Sequence, residues 1–234
     1  MNEKQTFANR LCEQETREKI SEICRKMWQL GWVAGSDGNV SVKLSKNHFL
    51  VTPSGISKSD ITPESVILVS ANHSADEICV RKPSSEFKMH LRCYTERGDV
   101  NAVIHAHPPC ATAFAVAGEP LDDYSIMETV LTIGSVPVTP YATPSTEEVG
   151  NSIAPFLPNH DALLLQNHGA LTVGCDLITA FHRMETLEHS AKIILNTRIL
   201  GGAEEISRSD IETLCKMRSR YGLTGKHPGY KKYS

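Results

Sequence analysis

The chain reads as an α/β protein. Stretches with apolar residues at helical spacing alternate with short apolar runs of strand character. Turn clusters of Gly, Pro, Ser and Asn separate these runs, with no long polar linker between them. At 234 residues there is room for one large domain or two small ones. No internal repeat, low-complexity block or linker divides the chain, so one domain over residues 1–234 is expected. A hydrophobic content of 40% with 22% charged residues fits a globular fold that buries a core.

In chain order, residues 1–6 read as frayed. A helix follows from about Phe7 to Gly31, with Ile20, Ile23, Cys24, Met27 and Leu30 on its apolar face. Strands are expected at Val40–Leu44, His48–Thr52, Val66–Val69 and Ile78–Val80, the last two joined by the polar turn Asn72–Asp76. Ser84 can cap a helix starting near Ser85, which places Glu86 in its first turn and His90 one turn on. Residues 101–107 form a strand, and the small apolar residues 109–117 a helix. Leu131–Ile133 and Val136–Val138 read as short buried strands, and Ser145 or Thr146 caps a helix over Glu147–Ile153. Strands Ala162–Gln166 and Leu171–Val173 flank His168. A long helix from Leu177 stops at Gly201-Gly202, and a last one runs from about Ser209 to Tyr221-Gly222. The basic tail Lys226–Lys232 is expected to be mobile.

Composition narrows the function. A net charge of −3 makes no electrostatic case for nucleic acid or an anionic membrane as partner. No apolar run approaches the roughly 20 residues that span a bilayer. The polar N-terminus lacks a signal-peptide core, so the cytoplasm is the expected location. Seven cysteines without a Cys-x-x-Cys pair read as reduced, mostly buried small hydrophobes.

The chemistry concentrates between Lys82 and Pro109. On a strand over 101–107, His105 and His107 share a face while Ala106 points the other way. His168 closes another apolar run, followed by Gly169, which permits a sharp turn. Three histidines with a nearby carboxylate make a catalytic zinc site that leaves room for substrate. His182 and His189 fit no ligand spacing and read as surface or core. The loops Gly35–Ser41 and Pro53–Gly55 offer glycines, hydroxyls and backbone N–H groups that suit an anion such as phosphate. Neither is a Walker-type loop, because no Gly-Lys-Ser/Thr follows.

Seven blocks in order carry a family resemblance: Gly-Asn-Val-Ser at 38–41, Thr-Pro-Ser-Gly at 52–55, Lys-Pro-Ser-Ser-Glu at 82–86, His-Ala-His at 105–107, Pro-Tyr-Ala-Thr at 140–143, Gln-Asn-His-Gly at 166–169 and Tyr-Gly-Leu at 221–223. On these the chain resembles the class II aldolase/adducin-head family over about residues 10–225, and within it the fuculose-phosphate-type aldolases. The resemblance implies a three-layer α/β/α domain with a central, largely antiparallel sheet. It also implies a homotetramer with active sites between subunits. It implies zinc, or another divalent transition metal, held by His105, His107, His168 and Glu86, with Glu86 also the proton-transfer base. Gly38, Asn39, Ser54, Gly55, Ser84 and Ser85 would cradle the phosphate of a small-molecule sugar phosphate. Tyr221 would reach a neighbouring subunit's site and move a proton on the second hydroxyl. The implied reaction is reversible cleavage of a ketose 1-phosphate, such as L-fuculose 1-phosphate, to dihydroxyacetone phosphate and an aldehyde. The family's other active-site tyrosine is matched only by Tyr124, and only with a gap.

Three alternatives share this fold. A pentulose-phosphate 4-epimerase would carry Asp at the position of Glu86. A methylthioribulose-phosphate dehydratase shares the His-x-His and the glutamate. An adducin-like binding module would have no need of an intact metal set.

Overall fold

The structure is a computed structural model that describes residues 3–71 and 82–230, with side chains described from Cys12 onward. Its elements are α1 (Glu3–Gln29), β1 (Asn39–Lys43), β2 (His48–Val51), β3 (Ile67–Ser70), α2 (Phe87–Glu96), β4 (Ala102–Ala106), α3 (Pro109–Ala117), α4 (Met127–Thr132), β5 (Val138–Thr139), α5 (Glu147–Ile153), β6 (Ala162–Leu165), β7 (Gly169–Gly174), α6 (Leu177–Ile199) and α7 (Arg208–Met217). A 3₁₀ turn over Arg218–Tyr221 follows α7. The seven strands form one sheet in the order β3-β2-β1-β4-β7-β6-β5. Only β5–β6 is parallel; every other pairing is antiparallel. The predicted turn 72–76 and strand Ile78–Val80 lie outside the described residues.

Strand alternation divides the core between the two faces of the sheet. Ala102, Ile104 and Ala106 of β4 pack with Ala170 of β7 against α1, α3 and α6. Val103 of β4 packs with Leu171 and Val173 of β7 against α2 and α5 on the other face. His105 shares the parity of Val103, so it emerges on the α2 side. The helices lie on both faces of a largely antiparallel sheet, as expected for this α/β fold.

Several expectations are corrected. Residues 131–133 are not a strand. Val130 N–H bonds Ile126 and Ile133 N–H bonds Thr129, closing the turns of α4, and Gly134 ends it in a left-handed conformation. Pro137 has no N–H to donate to a ladder, so Val136 bridges Leu121 alone and β5 begins at Val138. Helix α1 starts at Glu3 rather than Phe7, since nothing before Gly31 breaks it. Helix α2 starts at Phe87, and Glu86 is its N-cap residue, not a member of its first turn. The Ser84 hydroxyl accepts Glu86 N–H and sets this geometry.

The tail through Tyr230 is tied down. His227 Nε2 bonds the Val130 carbonyl, and the Tyr124 hydroxyl donates to the Gly229 carbonyl. Tyr124 is thereby a buried strut for the tail, its ring packed against Tyr230. Of the described cysteines, Cys24 and Cys93 are buried, Cys110 and Cys215 are half-buried, and Cys12 and Cys175 are exposed. Cys175 escapes the core because it sits in the turn between β7 and α6. Among the described residues no helix is long and apolar enough to cross a membrane.

Candidate active site

The candidate site lies where β1 begins, β4 ends and β7 begins. In the ladder Asn39 pairs with His105, and His105 pairs with Leu171, so the turn before β7 stands beside the end of β4. His107 lies one residue past β4, held by its N–H to the Trp32 carbonyl at 2.8 Å. The turn into β7 has Asn167 at φ 55°, which swings His168 towards the other two histidines. Gly169 is required there. A Cβ at that position would stand 2.5 Å from His107 Cδ2 and 2.6 Å from the Ala106 carbonyl oxygen. Gly38 is similarly forced, with φ +70° and only 2.9 Å between an added Cβ and the His105 carbonyl oxygen.

One ligand atom from each of His105, His107 and His168 falls within 4.8 Å of the others. Nε2 of His107 stands 3.1 Å from Nε2 of His105. Glu86 completes the group: Oε2 is 3.4 Å from His105 Nε2, and Oε1 is 3.3 Å from His168 Nε2. Side-chain exposure rises from His105 (0%) through Glu86 (14%) and His168 (17%) to His107 (26%), so the cluster opens towards solvent on one side.

The electrostatics favour neutral imidazoles at His105 and His107. His105 Nδ1 lies 2.9 Å from the Ala170 carbonyl, which can only accept, so the proton sits on Nδ1 and the Nε2 lone pair faces the cluster. Burial, reinforced by repulsion from His168 and His107, holds His105 well below the usual histidine range. His107 is lowered chiefly by burial, against the opposing pull of Asp37 and Glu86. Asp37 Oδ2 lies 3.6 Å from His107 Nδ1 on the side away from the cluster.

Asn39 was expected at a phosphate; its Nδ2 donates to Glu86 Oε2 at 2.8 Å. This bond fixes the carboxylate while Oε1, buried, keeps no hydrogen-bond partner. Loop 52–54 is zipped to loop 82–84 by Ser54 N–H to the Lys82 carbonyl and Ser84 N–H to the Thr52 carbonyl. Ser54, Gly55 and Ser85 are exposed at this rim, Ser84 is half-buried, and Gly38 is buried at its base. His90 is not part of the cluster: its Nδ1 pairs with the Ser41 hydroxyl at 2.6 Å, and burial pushes it down to about 3. Tyr221 is also absent from the cluster. It is 59% exposed, and the following Thr224 is bound by Arg183, which also bonds Val173 near the far end of β7. Asp37 and the Asn39–Glu86 bond went unnoticed in the sequence. The loop 35–41 signals an anion site through its glycines, hydroxyls and N–H groups, and nothing local marks a bond from Asn39 to a residue 47 positions away.

The family described as Class II Aldolase and Adducin N-terminal domain matches residues 18–195. The chain belongs to this class II aldolase family. An L-fuculose phosphate aldolase of Escherichia coli O6:H1 is 32% identical over 206 residues, covering 88% of this chain and 94% of that protein. A 3-oxo-tetronate 4-phosphate decarboxylase from the same strain is also 32% identical, over 78% of this chain and 87% of its own length. Among solved structures, an L-fuculose 1-phosphate aldolase superposes with a TM-score of 0.80 at 30% identity, covering 88% of this chain and 96% of its own.

Class II aldolases are metal-dependent, and the residues of this chain fit a metal ion. The buried, unpartnered Glu86 Oε1 and an Nε2 lone pair on His105 held in place by Ala170 are donors that lack an acceptor.

Proposed function

We propose that this class II aldolase family member is a zinc-dependent ketose 1-phosphate aldolase, forming dihydroxyacetone phosphate and an aldehyde. The observation that carries the reading is the cluster of His105, His107 and His168 with Glu86, whose Oε1 is buried without a partner. The three imidazoles and Glu86 would hold the ion; imidazole nitrogen and carboxylate oxygen in this number suit zinc. Bound there, the ion would supply Lewis acidity to the substrate's carbonyl and adjacent hydroxyl oxygens.

The chain's own groups do the rest. In cleavage the C3–C4 bond breaks, the C4 hydroxyl loses a proton to become the aldehyde, and C3 gains a proton. Glu86, steadied through Oε2 by Asn39, takes up a proton from solvent and delivers it to C3. The rim of Gly38, Ser54, Gly55, Ser84 and Ser85 takes the phosphate through N–H groups and hydroxyls, with Asn39 at its inner edge. In a neighbouring copy of a homotetramer Tyr221 relays the C4 hydroxyl proton, its own phenolic proton passing to solvent as that proton arrives. Its exposure, away from its own chain's cluster, supports action in trans.

A second reading is favoured by the equal identity to the decarboxylase. Loss of CO₂ from a 3-oxo-tetronate 4-phosphate also leaves a carbanion that becomes dihydroxyacetone phosphate on protonation. That path needs Glu86 and has no aldehyde hydroxyl to deprotonate. The deciding experiment offers the metal-loaded protein dihydroxyacetone phosphate with a panel of aldehydes, and separately a 3-oxo-tetronate 4-phosphate. Ketose 1-phosphate formation without CO₂ release supports the aldolase; CO₂ release without aldol product replaces it with the decarboxylase. Neither reaction in a protein that binds metal would point to another sugar-phosphate activity of this fold, and a protein that binds no metal would favour a non-catalytic module.

A further inference from the structure

Lys58 is buried, 1% exposed, and is the largest side chain so enclosed among the described residues. It opens a 3₁₀ turn just after the Pro53–Gly55 turn. Its Nζ donates to the Ser36 carbonyl at 2.9 Å and the Ile56 carbonyl at 3.2 Å, so one ammonium joins the loop before Asn39 to the loop after Ser54. An ammonium has three N–H donors, and among the described residues only these two acceptors engage it. Cys24 beside it is a neutral thiol, pushed up by burial to about 12. Asp37 and Glu86 are near enough to act on Lys58 electrostatically, and among the described residues no carboxylate is in ion-pair contact with it. Burying a charge without a paired anion is costly, and the two carbonyls compensate only in part. A methionine would fill the space without that cost.

We infer that Lys58 is the positive charge of the phosphate subsite, a positioning and specificity-determining residue that braces the Ser36–Asn39 and Ser54–Ile56 loops from behind and attracts the substrate's phosphate dianion through them. The inference rests on the phosphate rim of the proposed function, and it changes that rim's character. A cradle of neutral N–H and hydroxyl groups binds phosphate and other oxyanions by shape. The same cradle backed by a fixed buried cation favours the doubly charged form. At the low effective permittivity behind a loop, one cation acting on a dianion alters affinity by about tenfold or more.

The test measures hydrogen exchange at the hydroxymethyl carbon of dihydroxyacetone phosphate and of unphosphorylated dihydroxyacetone. It uses the full-length, metal-loaded protein with Lys58→Gln, Lys58→Met, Lys58→Arg and Ser54→Ala. The neutral Lys58 variants are expected to raise the KM for dihydroxyacetone phosphate about tenfold and to leave exchange of dihydroxyacetone within about threefold of the parent. Lys58→Arg is expected to stay within about threefold for both. An equal loss for the two substrates in Lys58→Gln would overturn the inference, because a purely structural brace would disturb Asn39 and Glu86 whatever the substrate. Unchanged KM in the neutral variants, with Ser54→Ala raised, would also overturn it while leaving the rim intact. Unchanged KM in all of them would instead overturn the rim. Should neither neutral variant fold, lysine ¹⁵N spectra of the parent decide, with the Lys58 Nζ signal assigned by its loss in Lys58→Arg. That signal is expected to shift with dihydroxyacetone phosphate and not with dihydroxyacetone, and a signal that ignores both overturns the inference.

Discussion

Two buried polar clusters stand at opposite ends of β7, and they are built on opposite principles. At the Gly169 end, His105, His107, His168 and Glu86 converge their ring nitrogens and carboxylate oxygens, with Glu86 Oε1 left without a hydrogen bond. Beyond Val173, roughly 13 Å away by strand rise, Asp161 lies between two arginines. Its Oδ1 accepts from Arg97 Nη2 at 2.8 Å, and its Oδ2 is 2.7 Å from Arg183 Nη2, close but out of line for a hydrogen bond. Arg97 also pairs with Asp99 and the Leu157 carbonyl, and Arg183 with the carbonyls of Val173 and Thr224. The second cluster balances two cations with two anions and ties α2, β7, α6 and the tail together. The first brings three imidazoles and one carboxylate together with no lysine or arginine among them, a donor set that a cation completes. Burial does not distinguish a site from a brace, nor does a buried oxygen without a hydrogen bond, which each cluster has. The balance of charge does, met by two guanidiniums around Asp161 and, among the described residues, by no lysine or arginine in contact with Glu86.

The sharpest way to break this contrast is to remove one member from each cluster. His107→Ala is expected to lose the bound metal and abolish turnover, read by metal content and the aldol assay. The fold should weaken only by the lost contribution of ligand binding. Full activity of that variant after exhaustive chelation would end the assignment. Asp161→Asn keeps the shape and removes one charge from between Arg97 and Arg183. A broken buried pair costs about 3–5 kcal/mol, so the urea midpoint should fall markedly while each folded chain still binds metal. Metal loss without a stability loss in Asp161→Asn would reverse the roles of the two clusters.

The difference in construction explains what the sequence could reveal. The three histidines were legible because His-x-His on a strand and His-Gly after an apolar run are local patterns. Glu86 was legible mainly by its company, and its true station, an N-cap fixed by Ser84 and Asn39, depends on a contact across 47 residues. The Arg97–Asp161 pair spans 64 residues and left no pattern at all. Most individual strands and helices follow from period and turn residues, whereas the largely antiparallel order of the sheet follows only from the family resemblance. Leu131–Ile133 reads as a strand although 131–132 close the helix Met127–Thr132, because a helix this short has too few turns to display a 3.6-residue period. Lys226–Tyr230 looked mobile by composition, yet His227 and Tyr124 anchor it through backbone carbonyls that no sequence pattern marks.

Tyr221 tests the contrast from the middle. It belongs by position to the braced end, where Arg183 holds the following Thr224, and by proposed role to the other cluster. Tyr221→Phe is expected to keep hydrogen exchange on dihydroxyacetone phosphate and lose aldol cleavage by about 10²-fold, the scale of a missing general acid–base group. Glu86→Gln should lose both reactions. Parallel losses of exchange and cleavage in Tyr221→Phe would mean that the residue serves the fold of the tail, and that the proton on the aldehyde oxygen is moved elsewhere.

The smallest expected effect lies at the rim, where the site meets solvent. Ser54 is exposed in the turn after Pro53, and its N–H is already committed to the Lys82 carbonyl, so the hydroxyl is the group left to offer a ligand. Water can replace that hydroxyl once it is gone, which keeps the loss near the lower end of the roughly 1.5–3 kcal/mol of a hydrogen bond to a charged group. The phosphate is remote from the bond being broken, so it is held alike in the ground and transition states. Ser54→Ala should therefore raise KM for a ketose 1-phosphate about tenfold and leave kcat within about twofold. Steady-state kinetics over a full range of substrate concentration separate the two constants. A fall in kcat with KM unchanged would place Ser54 in the chemistry and move the phosphate off this turn.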